Sequence, residues 1–76
     1  MIKHYTLENK PKFKMNEQVA VDMRVMGMNE CGILTGRIVG KGSENVVDTW
    51  LVEFNQDFSP TYPFRVVSVL HTAFLS

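Results

Sequence analysis

A chain of 76 residues forms one small domain at most, which buries only about 60% of the surface that its unfolded form exposes. Hydrophobic residues make up 45% of the chain, which excludes wholesale disorder, and the single cysteine excludes an internal disulfide. The formal net charge is zero, which argues against generic binding of nucleic-acid phosphates.

The charge is unevenly distributed along the chain. Residues 1–14 carry four lysines against one glutamate, whereas residues 15–76 carry four cations against seven carboxylates. Residues 1–12 are polar and aperiodic, and Pro11 limits regular strand pairing there. We therefore predict a basic N-terminal arm over residues 1–12 and a mildly acidic domain over residues 13–76.

Localisation signals are also read from the sequence. The first residues contain no apolar segment typical of a secretory signal, and no apolar run approaches the roughly 20 residues of a membrane-spanning helix. A lone cysteine is typical of a reducing compartment. We expect a cytoplasmic protein with no membrane partner.

The first two predicted strands show alternating patterns. Residues 19–25 place their odd-numbered apolar residues on one face, as in a strand half-buried in an antiparallel sheet. A glycine-containing loop leads to a second strand of about residues 33–39. In that strand Gly36 indicates a bend or a close approach of another backbone. The residues predicted to face the core are Val19, Val21, Met23, Val25, Leu34, Gly36 and Ile38.

Further elements complete the predicted sheet. A polar turn over residues 40–45 leads to a third strand that ends at residue 54. A loop separates it from a fourth alternating strand over residues 62–66, which a proline places at an edge or a bulge. Residues 69–75 predict one short helical turn followed by a closing strand. The residues predicted to face the core are Trp50, Val52, Phe54, Tyr62, Phe64 and Val66.

These elements predict an all-β domain, a small antiparallel barrel of about five bent strands with a short helical turn near the C-terminus. The chain resembles SH3-like barrels over residues 13–75. Similar patterns occur in KOW and Tudor-like modules, in the small accessory subunit of photosystem I and in the plasmid-encoded type II dihydrofolate reductase. The residues that carry the resemblance are Phe13, Met15, Glu17, Val19, residues 36–40, Trp50, Val52, Phe54, Tyr62 and Pro63.

The type II reductase gives the most detailed comparison. That family has a similar Phe-x-Met start, a Gly-x-Ile-Val-Gly strand and a Val-Gln-Ile-Tyr-Pro segment that lines a pore between four subunits. Here residues 59–63 read Ser-Pro-Thr-Tyr-Pro, so Pro60 and Thr61 stand where the family has glutamine and isoleucine. As one alternative, the resemblance implies a homotetramer that binds a nicotinamide cofactor near Thr61 and Tyr62.

Outward apolar residues are the candidates for a partner or oligomer surface. Val39, Leu51 and Val67 fall opposite the predicted core face of three strands, as in an oligomer interface. Phe58 lies in a polar loop, where it either contacts a partner or caps one end of the barrel. Tyr62 is the aromatic residue that we expect to keep its hydroxyl at the surface. Trp50, Phe54 and Phe64 either fill the core or line an aromatic groove.

Charged residues suggest a second kind of surface. Arg24, Arg37 and Arg65 fall on outward positions of three predicted strands. They either converge on an anion or nucleic-acid patch, or they pair with neighbouring acids such as Asp22 and Glu53. We expect the acids themselves to lie on a solvated face.

Reactive side chains show no motif. We expect Cys31 to be a small loop or buried thiol and His71 to be a structural histidine. We therefore expect no catalytic residue, no metal and no cofactor. The sequence predicts a small non-enzymatic SH3-like module that self-assembles or binds a protein partner. The alternatives are a KOW or Tudor-like nucleic-acid binder, and an oligomeric small-ligand or type II reductase-like pore protein.

Overall fold

The computed structural model describes residues 3–42, 48–55 and 65–76. Within these residues the chain is an all-β domain whose four strands form one antiparallel sheet in the order β1-β2-β3-β4. The strands are β1 (Gln18–Asp22), β2 (Ile33–Lys41), β3 (Thr49–Phe54) and β4 (Val66–Leu70). Short 3-10 turns span Met23–Met26, Asn29–Cys31 and His71–Ala73.

One face of the sheet builds the hydrophobic core. Leu34 and Ile38 of β2 are buried, and so are Trp50, Val52 and Phe54 of β3. The core face predicted for these two strands is therefore confirmed. The buried hydrophobic residues form one cluster of Val21, Met23, Leu34, Ile38, Trp50, Val52, Phe54, Val69, Ala73 and Phe74.

Gly36 of β2 lies close against the backbone of β3. It pairs with Phe54, and a Cβ atom added to it would lie 2.6 Å from the carbonyl oxygen of Glu53 and 2.9 Å from the Cα atom of Phe54. No side chain fits in that space without moving the backbone of β3. The predicted close approach of another backbone is therefore confirmed.

β1 ends at Asp22, before the predicted end of the strand. The Asp22 carboxylate accepts a hydrogen bond from the backbone N–H of Arg24 at 3.1 Å, which stabilises a tight turn in place of an extended chain. The 3-10 turn that follows ends at Gly27, whose φ of 81° is in the left-handed region. The prediction that Val25 faces the core is wrong, because this residue is 44% exposed.

β4 begins at Val66, the residue at which the predicted fourth strand of residues 62–66 ends, and residues 62–64 lie outside the described residues. The register of β4 with β3 places Val67 opposite Val52 and Val69 opposite Trp50, so both valines of β4 lie on the core side. Val69 is buried, and Val67 is half-buried against the core cluster. The predicted outward position of Val67 is therefore wrong, and so is the predicted inward position of Val66, which is 49% exposed.

The C-terminal segment returns to β1. The predicted helical turn is confirmed as the 3-10 turn at His71–Ala73. After it, Phe74 forms an isolated bridge with Val21, and Leu75 forms one with His4. Among the described residues the sheet is not closed into a barrel. It has four strands where about five were expected, and the C-terminal segment forms only these isolated bridges.

The described part of the basic arm packs on the domain. The backbone N–H of Tyr5 donates to the carbonyl oxygen of Phe74 at 3.2 Å. The backbone N–H of Ser76 donates to the carbonyl oxygen of Lys3 at 3.1 Å. Tyr5 packs against the core cluster, and Pro11 is buried. Residues 3–12 therefore cover one side of the core.

Candidate interaction surface

The sheet face opposite the core is made of rows of residues that the strand register places side by side. The rows cross β2, β3 and β4, and they alternate with the rows that form the core. Because each row joins neighbouring strands, its side chains contact one another across the sheet. The first row is Arg37, Glu53 and Val66, the second is Gly40, Leu51 and Ser68, and the third is Thr49 and Leu70.

A β-bulge at Val39 shapes the middle of this outer face. The register of β2 shifts between Ile38 and Gly40, so that Gly40 lies opposite Leu51. The Cδ1 atom of Leu51 lies 3.1 Å from the position that a Cβ atom of Gly40 would occupy. Leu51 therefore lies over the glycine, and it is half-buried, as is Val39.

β4 presents two exposed apolar side chains on the outer face. Val66 is 49% exposed and Leu70 is 38% exposed. The strand contains no charged residue, although native edge strands are commonly protected by charge. Among the described residues β4 pairs only with β3, so its other edge has no strand beside it.

Of the five predicted surface residues, Leu51 lies on the outer face and Val39 lies in the adjacent β-bulge. Val67 lies on the core side. Phe58 and Tyr62 lie outside the described residues. Sequence reasoning missed Val66 and Leu70, because apolar residues occupy both faces of the stretch from 66 to 70 and only the register with β3 decides between them.

The three candidate arginines lie in different parts of the fold. Arg24 belongs to the 3-10 turn after Asp22, at the end of β1, so its predicted outward strand position is wrong. Arg37 pairs with Gln18, at the beginning of β1. At about 3.3 Å per residue, the two ends of β1 are roughly 13 Å apart. Arg65 directly precedes β4, and an anion patch of all three remains a prediction.

Arg37 and Arg24 pair with carboxylates, as the second interpretation of the arginines predicts. The Nη2 atom of Arg37 lies 2.7 Å from Oε1 of Glu53, and Arg37 also donates to the Asn16 side chain. The Nε and Nη2 atoms of Arg24 donate to the two oxygens of Asp22 at 2.8 and 2.9 Å. These arginines are therefore held by the protein's own acids.

Asp22 is buried, which corrects the expectation of a solvated carboxylate. It is 2% exposed, and Nε2 of His4 lies 2.9 Å from its Oδ2 atom. The hydrogen bonds from Arg24, and secondarily the one from His4, hold the pKa of Asp22 well below its usual value. Asp22 therefore anchors the beginning of the N-terminal arm to the end of β1.

His71 is a buried structural histidine, as predicted. Its Nδ1 atom accepts a hydrogen bond from the backbone N–H of Asp48 at 3.1 Å, so the ring proton is on Nε2. Nε2 donates to the carbonyl oxygen of Thr6 at 2.8 Å. The ring therefore connects the arm, the residue before β3 and the C-terminal 3-10 turn.

The remaining reactive groups form no cluster within the described ranges. Cys31 is half-buried, and burial, with a smaller effect of Glu30, raises the pKa of its thiol. In residues 3–42, 48–55 and 65–76, no three His, Cys, Asp or Glu side chains are grouped to hold a metal ion. No helix in this part of the chain is long and apolar enough to cross a membrane. In comparisons with known proteins, no family model, no curated protein and no solved structure matches the chain significantly.

Proposed function

We propose that this chain is a small non-enzymatic binding module that assembles with copies of itself through the outer face of its sheet. The observation that carries this proposal is the exposure of Val66 and Leu70 on an uncharged edge strand. Leu51, in the middle row, extends the apolar surface toward β3. An uncharged apolar edge of this kind is a template for pairing with another chain.

We further propose that residues 13–76 form an SH3-like barrel. The four strands run in sequence order and are followed by a 3-10 turn and a segment that returns to β1. The backbone N–H of Leu75 donates to the carbonyl oxygen of Ala20 at 3.0 Å, and Phe74 forms a bridge with Val21. This return of the C-terminus to β1 supports the proposal, and it leaves β4 as an edge strand among the described residues.

The apolar contribution to such assembly is modest. Fully burying a valine or leucine side chain contributes about 1.5–3 kcal/mol, so covering the exposed fractions of Val66 and Leu70 contributes roughly 1 kcal/mol each. A symmetric contact uses both residues from each copy. The expected result is weak, reversible association and not a permanent oligomer.

The alternative functions have less support among the described residues. Arg24 and Arg37 would have to leave their carboxylate partners to bind phosphate. Lys10 of the arm lies 3.5 Å from the carboxylate of Asp48. The segment that resembles the reductase pore, residues 59–63, lies outside the described residues.

A dilution series followed by amide chemical shifts tests the proposed surface. We expect the amide signals of Leu51, Val66 and Leu70 to change with protein concentration up to about 1 mM, where a contact worth roughly 4 kcal/mol becomes half-populated. The substitution Val66→Lys, which removes an apolar side chain from the contact, should weaken the change. Val25→Lys is the matched control, because Val25 is 44% exposed but lies in the turn after β1. Signals that do not change with concentration, or that change only elsewhere, would contradict the proposal.

A further inference from the structure

We propose that two copies of the chain join by antiparallel pairing of their β4 strands, with a two-fold axis at Ser68. The two sheets then form one continuous sheet. This inference rests on the proposed self-assembly and deepens it, because it names the second copy as the occupant and the backbone edge of Val66–Leu70 as the contact.

The hydrogen-bond pattern shows which backbone groups of β4 point away from β3. At one end, the N–H of Phe54 donates to the carbonyl oxygen of Arg65 at 2.7 Å. At the other end, the N–H of His71 donates to the carbonyl oxygen of Asp48 at 2.8 Å. Bonded pairs alternate with non-bonded pairs in an antiparallel ladder, so the odd-numbered residues of β4 bond to β3. The residues whose N–H and C=O groups point to the free edge are Val66, Ser68 and Leu70.

These three residues also have exposed side chains. Val66, Ser68 and Leu70 are all exposed, whereas Val67 and Val69 between them face the core. Within the described ranges only β3 pairs with β4. The same positions therefore offer to a second chain exposed side chains and backbone groups that no described strand pairs with.

A two-fold axis at Ser68 matches these positions to one another. It places Ser68 opposite Ser68 of the second copy, and Val66 of each copy opposite Leu70 of the other. Because all of these residues direct their backbone to the edge, each opposed pair exchanges two N–H···O=C hydrogen bonds. The valine and leucine side chains lie next to each other on the outer face and cover each other.

Charges beyond the two ends of β4 favour the antiparallel direction. Arg65 precedes the strand, and Asp48 lies beside its far end, where it bonds to His71. The two-fold axis places Arg65 of each copy opposite His71 of the other, one strand away from Asp48, whereas a parallel arrangement would bring the two arginines together. Since β4 itself carries no charge, no like charges are opposed along the strand.

The size of the contact sets the expected affinity. A strand of five residues buries less area than the roughly 1,200 Å² at the lower limit of standard interfaces. We therefore expect a weak dimer, which must be studied at high protein concentration.

Hydrogen exchange resolved to single amides tests the pairing. In the wild-type protein, we expect the amides of Val66, Ser68 and Leu70 to become protected as the concentration rises. The amides of Val67 and Val69, which belong to the ladder with β3, should be protected at every concentration. Dimers in which Val66, Ser68 and Leu70 still exchange freely would overturn the edge pairing and leave the proposed self-assembly standing. A chain that stays monomeric would overturn both.

Variants with charged side chains at the opposed positions test the register independently of amide exchange. The double variant Val66→Lys, Leu70→Lys places like charges at opposed positions, whereas Val66→Lys, Leu70→Glu places opposite charges there. Since opposed charges on a sheet attract or repel according to sign, the first variant should dimerise about tenfold more weakly than the second. Equal dimerisation of the two variants would contradict the register. Thermal melts of both at low concentration verify that each single copy is folded.

Discussion

His71 and Thr6, which are 65 positions apart in the sequence, are joined by a hydrogen bond of 2.8 Å between Nε2 of the imidazole and the backbone carbonyl oxygen. A second histidine, His4, connects the same arm to Asp22. Farther along, the ring of Phe13 lies 5.2 Å from that of Trp50, measured between ring centroids. The described part of the N-terminal region is therefore held by specific contacts and covers the core.

Replacing His71 by alanine should destabilise the protein strongly. His71→Ala removes a buried ring and leaves two backbone groups, the carbonyl of Thr6 and the N–H of Asp48, without their partner. An unpaired polar group costs about 1–3 kcal/mol when it is buried, and because these two bonds are partly buried we expect a loss of roughly 2–4 kcal/mol in the free energy of unfolding. Urea unfolding followed by circular dichroism measures this loss.

The control for this variant is His4→Ala. The side chain of His4 is 32% exposed and has water available when its contact is lost, so its removal should cost less than that of His71. Equal losses for the two variants would contradict the structural role assigned to the bond between His71 and Thr6.

Asp22 should make the stability of the protein sensitive to acid. The pKa of Asp22 is lowered in the folded state, first by Arg24 and then by His4, so its contribution is complete above the usual carboxyl range. That contribution is lost as the pH falls below about 4 toward the lowered value. Melting temperatures recorded between neutral pH and strong acid should therefore decline more steeply for the wild-type protein than for Asp22→Asn, which is already less stable at neutral pH.

Glu53→Gln serves as the comparison for Asp22→Asn. The ion pair of Glu53 with Arg37 is partly exposed, with 39% of the glutamate side chain accessible, and such pairs contribute about 0–1 kcal/mol. The variant should keep most of the wild-type stability at neutral pH. If Asp22→Asn were as stable as Glu53→Gln there, the anchoring role of the buried carboxylate would be wrong.

Gly36 and Gly40 should respond differently to the same substitution. In Gly36→Ala the new methyl group would meet the backbone of Glu53 at 2.6 Å, and β3 would have to move. In Gly40→Ala it would meet the end of the Leu51 side chain at 3.1 Å, which can rotate away. We expect Gly36→Ala to cost about 1–3 kcal/mol or more, and Gly40→Ala to cost less. Thermal unfolding of the two variants measures these losses of stability. A larger loss for Gly40→Ala than for Gly36→Ala would contradict the packing of β2 on β3.

The core face of the two central strands could be predicted from the sequence because each carries an unambiguous alternation. Leu34, Gly36 and Ile38 alternate with Thr35 and Arg37, and Trp50, Val52 and Phe54 alternate with residues that face outward. Burial on one face of a strand fixes such a pattern with a period of two. The buried face of β2 and β3 can therefore be assigned without knowledge of contacts between distant residues.

The ends of the sheet depend on contacts that the sequence does not reveal. β1 stops because Asp22 turns its carboxylate to Arg24 and His4, and nothing in the local alternation up to Val25 indicates this. β4 has apolar side chains on both faces, so only its pairing with β3 decides that Val66 is outside. The outward position of Leu51 could therefore be predicted from the sequence, whereas the outward positions of Val66 and Leu70 could not.

Sedimentation equilibrium of the unmodified chain tests the central claim most directly. Concentrations from about 10 μM to 1 mM detect dimers with an association free energy of roughly 4–7 kcal/mol in magnitude. Over this range the average mass should rise from the monomer value of 8.7 kDa toward twice that value. A mass that stays at 8.7 kDa throughout this range would contradict self-assembly, and a rise to a closed tetramer would contradict two-fold pairing through β4.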